Sequence, residues 1–318
     1  YKGVINMNNL KKVGLTALAG ALVSFSANAA ELTVTGGASI GFTGEEKVDT
    51  GNGWSMNDGL TFAATTELDN GMTVTATQII DSSDGASGVI MDTRILKIDM
   101  ADNGVLTFSG TGGSSVLNAI DDVTPTAYEE SWDVVGSASA IPGGVGGDNM
   151  FHYSNSSLMD GMAISASYTP SNKGTVLESS MDYGVAYTGI DGLTVGLAQG
   201  TDETDPTATL ELSNMYVTYA MDAFTVGYQA SESSTSDAGV GVTEAFETTA
   251  MGISFAVNDD FSIGYGVFEA DYEDTTLVDQ ESTAITASYT MGSMTIGGLI
   301  GEDENIAGNA ANDNDKYE

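Results

Sequence analysis

The sequence predicts an all-β fold: a sixteen-stranded antiparallel β-barrel that crosses a membrane. Three observations lead there. Apolar and small polar residues alternate at period two through nearly the whole chain. A short acidic turn recurs seven times. Longer polar connections alternate with those turns without exception.

The elements follow in chain order. Residues 1–30 hold Lys11 and Lys12, the apolar run VGLTALAGALVSFS and Ala27-Asn28-Ala29. A basic start, a short apolar stretch and an A-x-A site are the parts of a secretory signal, with Tyr1–Asn6 upstream of it. The barrel then occupies 31–318. In its first strand Leu32, Val34, Ala38, Ile40 and Phe42 share one face, and Thr33, Thr35, Gly37, Ser39 and Gly41 the other. The same pattern returns in DGLTFAATTEL, SMDYGVAYTG and FSIGYGVFEAD.

The short turn is seen in ELDNGMTVTA (67–76) and recurs as DMADNGVLTF, LMDGMAISAS, GIDGLTVGLA, AMDAFTVGYQ, VNDDFSIGYG and TMGSMTIGGL. The long connections are 44–57, 81–89, 170–178, 201–209, 231–245, 271–281 and 302–313. Strict short–long alternation puts all short turns at one end of an up-and-down sheet. Counting between connections gives fifteen complete strands and a sixteenth beginning at Asp315, largely missing because the chain stops at Glu318. One segment, 111–147, breaks the hairpin pattern between the fifth and sixth strands. Thr126-Ala127-Tyr128-Glu129 has capping-box spacing there, and predicts the start of a short helix.

Alternation alone fits two solvents. A sandwich turns its apolar face into a core, whereas a membrane barrel turns it out to lipid around a wet lumen. The opposite face here is Gly, Ser, Thr and Ala, as a lumen wall tolerates. Tyr187, Tyr219, Phe255 and Tyr289 precede short turns, Phe224 and Phe261 follow them, and all six share the apolar parity. That is an aromatic girdle at one membrane interface. An even set of hairpins also closes without an edge, which lipid demands of any sheet. The alternative is a secreted, acidic, calcium-dependent adhesion or surface-layer protein.

Charge narrows the function. The chain carries 45 Asp and Glu against 8 Lys and Arg, a net charge of −37. Residues 1–30 contain Lys2, Lys11 and Lys12 and no acid, so 5 basic and 45 acidic side chains remain beyond them, or −40. Such a surface repels nucleic acid and attracts cations. There is no Cys for zinc or for a nucleophile, the single His152 has no partner histidine, and no enzyme activity is expected. GGVGG (143–147) does not open a helix after a strand, so it is not a phosphate loop. No cofactor is implied. The acidic loops are suited to weak divalent-cation binding that bridges anionic headgroups.

The signal, the sixteen-strand alternation and the long fifth-to-sixth connection together resemble the general diffusion porins of Gram-negative bacteria, of the alphaproteobacterial type. The resemblance implies an outer-membrane, water-filled channel passing small hydrophilic solutes and ions, and a homotrimer embedded in lipid. It departs from the family at the C-terminus, where members close on an aromatic residue. A solute-specific channel is a further alternative; one Arg and few Lys argue against phosphate.

The resemblance also implies that 111–147 folds into the barrel and narrows it. Its acids Asp121, Asp122, Glu129, Glu130 and Asp133 then form the negative side of a constriction, which favours cations. The wall opposite is nearly without base. In MDTRILKIDM, parity turns Lys97 and Asp99 inward. Arg94 has lipid-side parity, and reaches the lumen only through a bulge or by snorkelling. His152 alternates with Phe151 and Tyr153 and also points inward, as a polar wall residue.

Overall fold

The computed structural model describes residues 31–45, 53–82, 90–132, 141–143, 148–171, 179–205, 208–235 and 246–318. The signal segment 1–30, Asp133 and most of GGVGG lie outside them.

Seventeen strand segments form one antiparallel sheet. They are β1 Glu31–Phe42, β2 Gly44–Glu45, β3 Trp54–Glu67, β4 Thr73–Ser82, β5 Ile90–Asp99, β6 Val105–Thr111, β7 Met150–Met159, β8 Met162–Thr169 and β9 Ser180–Ile190. The second half continues with β10 Leu193–Asp205, β11 Ala208–Met221, β12 Phe224–Thr235, β13 Phe246–Ala256, β14 Phe261–Tyr272, β15 Gln280–Met291, β16 Met294–Glu304 and β17 Asn314–Tyr317. β2 continues β1 past Thr43, so the segments fill the sixteen expected positions. The ring closes through β17, which pairs Tyr317 with Ile300 of β16 and with Gly44 of β2. Among the described residues no helix is long and apolar enough to cross a membrane.

The repeated turn is built as its residues dictate. In Leu68–Met72 the Leu68 N–H donates to the Met72 carbonyl, and the Asn70 side chain accepts from the Met72 N–H. Gly71 takes φ 80°, a left-handed conformation that costs glycine little. Where the turn has Asp222 in place of Gly, φ is still 51°.

The long connections are shorter than their composition suggests. The ladder continues through Thr201↔Glu211 and Asp202↔Leu210 and, past a register shift, to Asp205↔Ala208. Polar residues there form strand that stands above the apolar band, because cross-strand bonding needs no apolar side chain. The capping-box helix is absent. Thr126 Oγ1 instead donates to the Glu129 carbonyl and accepts from the Tyr128 N–H in an irregular turn. A single 3-10 turn forms earlier, at Asn118–Ile120.

Strand parity assigns the two faces, and the inner face is buried where the strap covers it. Ile40 and Ile300 are each 72 % exposed on the outer face, while Phe268 on the inner face is 0 % exposed. The expected aromatic girdle lies on that outer face, with Tyr187, Tyr219, Phe224 and Tyr289 exposed and the Phe224 and Phe255 rings stacked at 4.4 Å. At the loop end Phe42 packs against Trp54 at 4.9 Å and against Tyr317 at 6.1 Å, in the beginnings of a second band.

Candidate functional site: a strap across the lumen

The described part of the insertion between β6 and β7, residues 112–132 and 141–143, runs inside the barrel as a strap. Two small apolar clusters anchor it. Val116 and Leu117 pack with Ala198 of β10 and Leu212 of β11. Trp132 and Ile141 pack with Ala250, Phe268 and Ala270 of β13 and β14, with the Trp132 and Phe268 rings 5.1 Å apart.

Between the anchors the strap spends its backbone polar groups on wall side chains. The Ile120 carbonyl accepts from Asn214 at 3.2 Å and from Gln229 at 2.6 Å. The Ala127 N–H donates to Thr286, and the Tyr128 hydroxyl donates to Glu318 at 2.9 Å. At the strap's entry, buried Asp182 accepts from the Leu117 N–H, and Ser167 accepts from the Val116 N–H. These bonds satisfy a chain that would otherwise lie buried with unpaired groups.

The wall beneath is cut away to receive it. A Cβ on Gly252 would lie 2.4 Å from the Pro125 carbonyl oxygen, one on Gly227 2.3 Å from the Pro125 ring, and one on Gly297 2.1 Å from the Tyr128 ring. The inner-face glycines of β12, β13 and β16 are seats for the strap. Composition alone shows them only as a small-residue face.

Lys316 fixes the far side. Its ammonium donates to the Ser131 carbonyl and lies 3.0 Å from Asp303, with neither side chain exposed. Sequence reasoning missed it, since Lys316 reads only as the start of the last strand. The inward parity shared with Asp303, its neighbour on β16, was the available signal.

The expected constriction acids fall as follows. Asp121 and Asp122 follow the 3-10 turn; Asp121 accepts from Asn118 at 3.2 Å, and Asp122 is exposed. Glu129 and Glu130 are half-buried at the strap's turn beside Tyr128. All four lie on the strap, between its two anchors.

From Val116 onward the described strap contacts lie on β8 to β17; only the strap's start, at Gly113 and Ser114, touches β6 and β7. The open lumen therefore borders the inner faces of β1 and β3 to β6. That wall is hydroxyl-rich: Thr65 and Thr75 are 3.1 Å apart through their Oγ1 atoms. The register continues the row from Thr75 to Lys97, Thr107 and His152. Lys97 is exposed on it, and the His152 Nδ1 lies 3.2 Å from the Ser114 carbonyl at the strap's start.

Two wall expectations change. Asp99 has inward parity, but its carboxylate accepts from the Ala101 N–H and shapes the short turn. Arg94 does not turn inward. It pairs with Gln78, and Gln78 with Phe62, on the face of exposed Val34. The bulge of β5 against β4 falls at Asp92, beyond Arg94, so Arg94 keeps the face of Leu96. Its guanidinium reaches the Gly110 carbonyl at 3.4 Å.

A closed antiparallel barrel with an apolar exterior and an inserted strap defines a channel-forming membrane protein. A sequence profile described as Gram-negative porin matches residues 14–318, and the chain belongs to that family. Its fold is similar to that of a double mutant of Rhodopseudomonas blastica porin, at 15 % identity and TM-score 0.65, covering 90 % of this chain and 97 % of that one. A triple mutant of the same porin gives 14 % identity and TM-score 0.64, over 90 % and 99 %. No curated protein sequence matches the chain.

Proposed function

We propose that this porin is an outer-membrane channel for passive diffusion of small hydrophilic solutes and ions, with a preference for cations. The observation that carries the preference is the charge across the open lumen. Asp121, Asp122, Glu129 and Glu130 lie on the strap, and the described wall beyond it offers Lys97 alone as a permanent cation, since Lys316 is held by Asp303. In a narrow wet pore such an imbalance raises local cation concentration and repels anions. Replacing the four acids by Asn and Gln tests it. The cation-to-anion permeability ratio should fall toward that of free diffusion, and an unchanged ratio would refute the assignment.

The reading includes a homotrimer, with residues 1–30 directing export. What supports assembly is the outer face of β3 to β5. Asp58, Gln78 and Arg94 share it with Met91 and Leu96 on either side of Arg94. An arginine facing lipid carries a cost that grows with depth, from about 0–1 kcal/mol near the interface to about 2–4 kcal/mol at the midplane. Contact with neighbouring protein removes that cost, and crosslinking from this face in membranes tests it. Divalent cations binding weakly in the acidic loops remain part of the reading.

A further inference from the structure

On the outer wall, one small side chain on each of three neighbouring strands leaves a groove. Ser213, Ala230 and Thr249 form its floor, and Leu197, Met215 and Tyr228 its sides, around a volume of about 870 Å³. At its loop end stand two exposed carboxylates, Glu232 and Glu247, directly paired across β12 and β13. Glu211 borders the adjoining depression of about 500 Å³.

Like charges directly opposite on one sheet face destabilise the pair. This pair has company: Glu269 faces Glu281, and Glu281 faces Glu304, on the same outer face. Residues 174–315 contain no Lys, Arg or His, so β9 to β16 and their connections supply no counter-charge. The compensating cation must come from outside this half of the chain. A bare metal ion fits poorly. Among the described residues no three Asp, Glu, His or Cys side chains converge as ligands, and an ion would leave the apolar sides, Leu197 and Met215, unfilled.

We propose that the groove binds an amphiphile with a primary-ammonium headgroup. Its acyl chain lies along Ala230, Met215 and Leu197, and its N–H donors sit between Glu232 and Glu247. The proposal rests on the reading that the exposed apolar face meets lipid. Apolar burial holds the chain, and charge-assisted hydrogen bonds to the two carboxylates select the head.

The test reconstitutes the protein in lipid nanodiscs containing phosphatidylethanolamine, its N-acylated derivative and phosphatidylglycerol. Lipids retained after mild detergent extraction are counted by native mass spectrometry. Phosphatidylethanolamine should be retained about fivefold over the N-acylated form, which keeps the phosphate and lacks the cation, a scale that two exposed charge pairs support. Glu232→Gln with Glu247→Gln should abolish the preference, and Ala230→Trp should abolish retention of either lipid. The wild-type comparison needs no variant to fold. Equal retention of both lipids by an inserted barrel overturns the proposal, as does retention of phosphatidylglycerol that EDTA removes. Failure of the folded protein to insert at all overturns instead the reading of the outer face.

Discussion

Lys316 of the last strand and Ser131 of the strap are joined by one hydrogen bond inside the barrel, and Asp303 holds the same ammonium 3.0 Å away. The strand that closes the barrel also pins the loop that narrows it. Lys316→Met leaves Asp303 buried without its partner and should cost about 3–5 kcal/mol. Adding Asp303→Leu should recover most of that stability. It should not restore the strap's tether, so both variants should show noisier open-channel current than wild type. Urea unfolding combined with single-channel recording separates the two effects. A quiet double variant would show that the tether does not position the strap.

The glycine seats predict a steric response. Gly252→Val places side-chain atoms where the Pro125 carbonyl now lies, at an overpacking cost of about 1–3 kcal/mol. The strap should move toward the hydroxyl-rich wall and single-channel conductance should fall. Gly37→Ala is the control, because nothing lies within 4 Å of its added Cβ. Equal conductance in the two variants would contradict the seating.

The strap should also loosen at high pH. Burial, followed by the hydrogen bond and charge of Glu318, raises the Tyr128 hydroxyl well above the ordinary tyrosine value. A group whose folded value is raised contributes stability below its unfolded value, about pH 10, and loses it as pH climbs toward the folded one. Current noise should therefore rise above about pH 10 in wild type. In Tyr128→Phe that step should be absent; its persistence would assign it to another group.

The two tryptophans report on opposite faces. Trp54 is 63 % exposed on the outer face, and Trp132 is 7 % exposed in the strap's second anchor. In bilayers of brominated lipid, Trp132→Phe should leave fluorescence that is strongly quenched, and Trp54→Phe fluorescence that is not. Quenching of Trp132 alone would invert the face assignment.

Much of this was legible in the sequence because period-two alternation reports directly which face a residue occupies. Thr65 and Lys97 were placed by parity alone, and the register agrees. Arg94 was ambiguous because parity says nothing of where a bulge falls; the bulge lies at Asp92. The 201–209 stretch read as loop because its residues are polar, while its ladder is held by backbone bonds that composition does not report. The capping-box spacing at Thr126 was satisfied by a turn instead, since Thr286 of the wall takes the Ala127 N–H. The tether from Lys316 to Ser131 joins residues 185 positions apart, beyond the reach of any local pattern.

The central claim, an open pore whose strap carries excess negative charge, is tested most directly by the reversal potential in a planar bilayer under a KCl gradient. The protein should conduct, with a reversal potential displaced from zero toward the potassium equilibrium value. A potential at zero or displaced toward the chloride value, or no conductance from inserted barrels, would contradict the account.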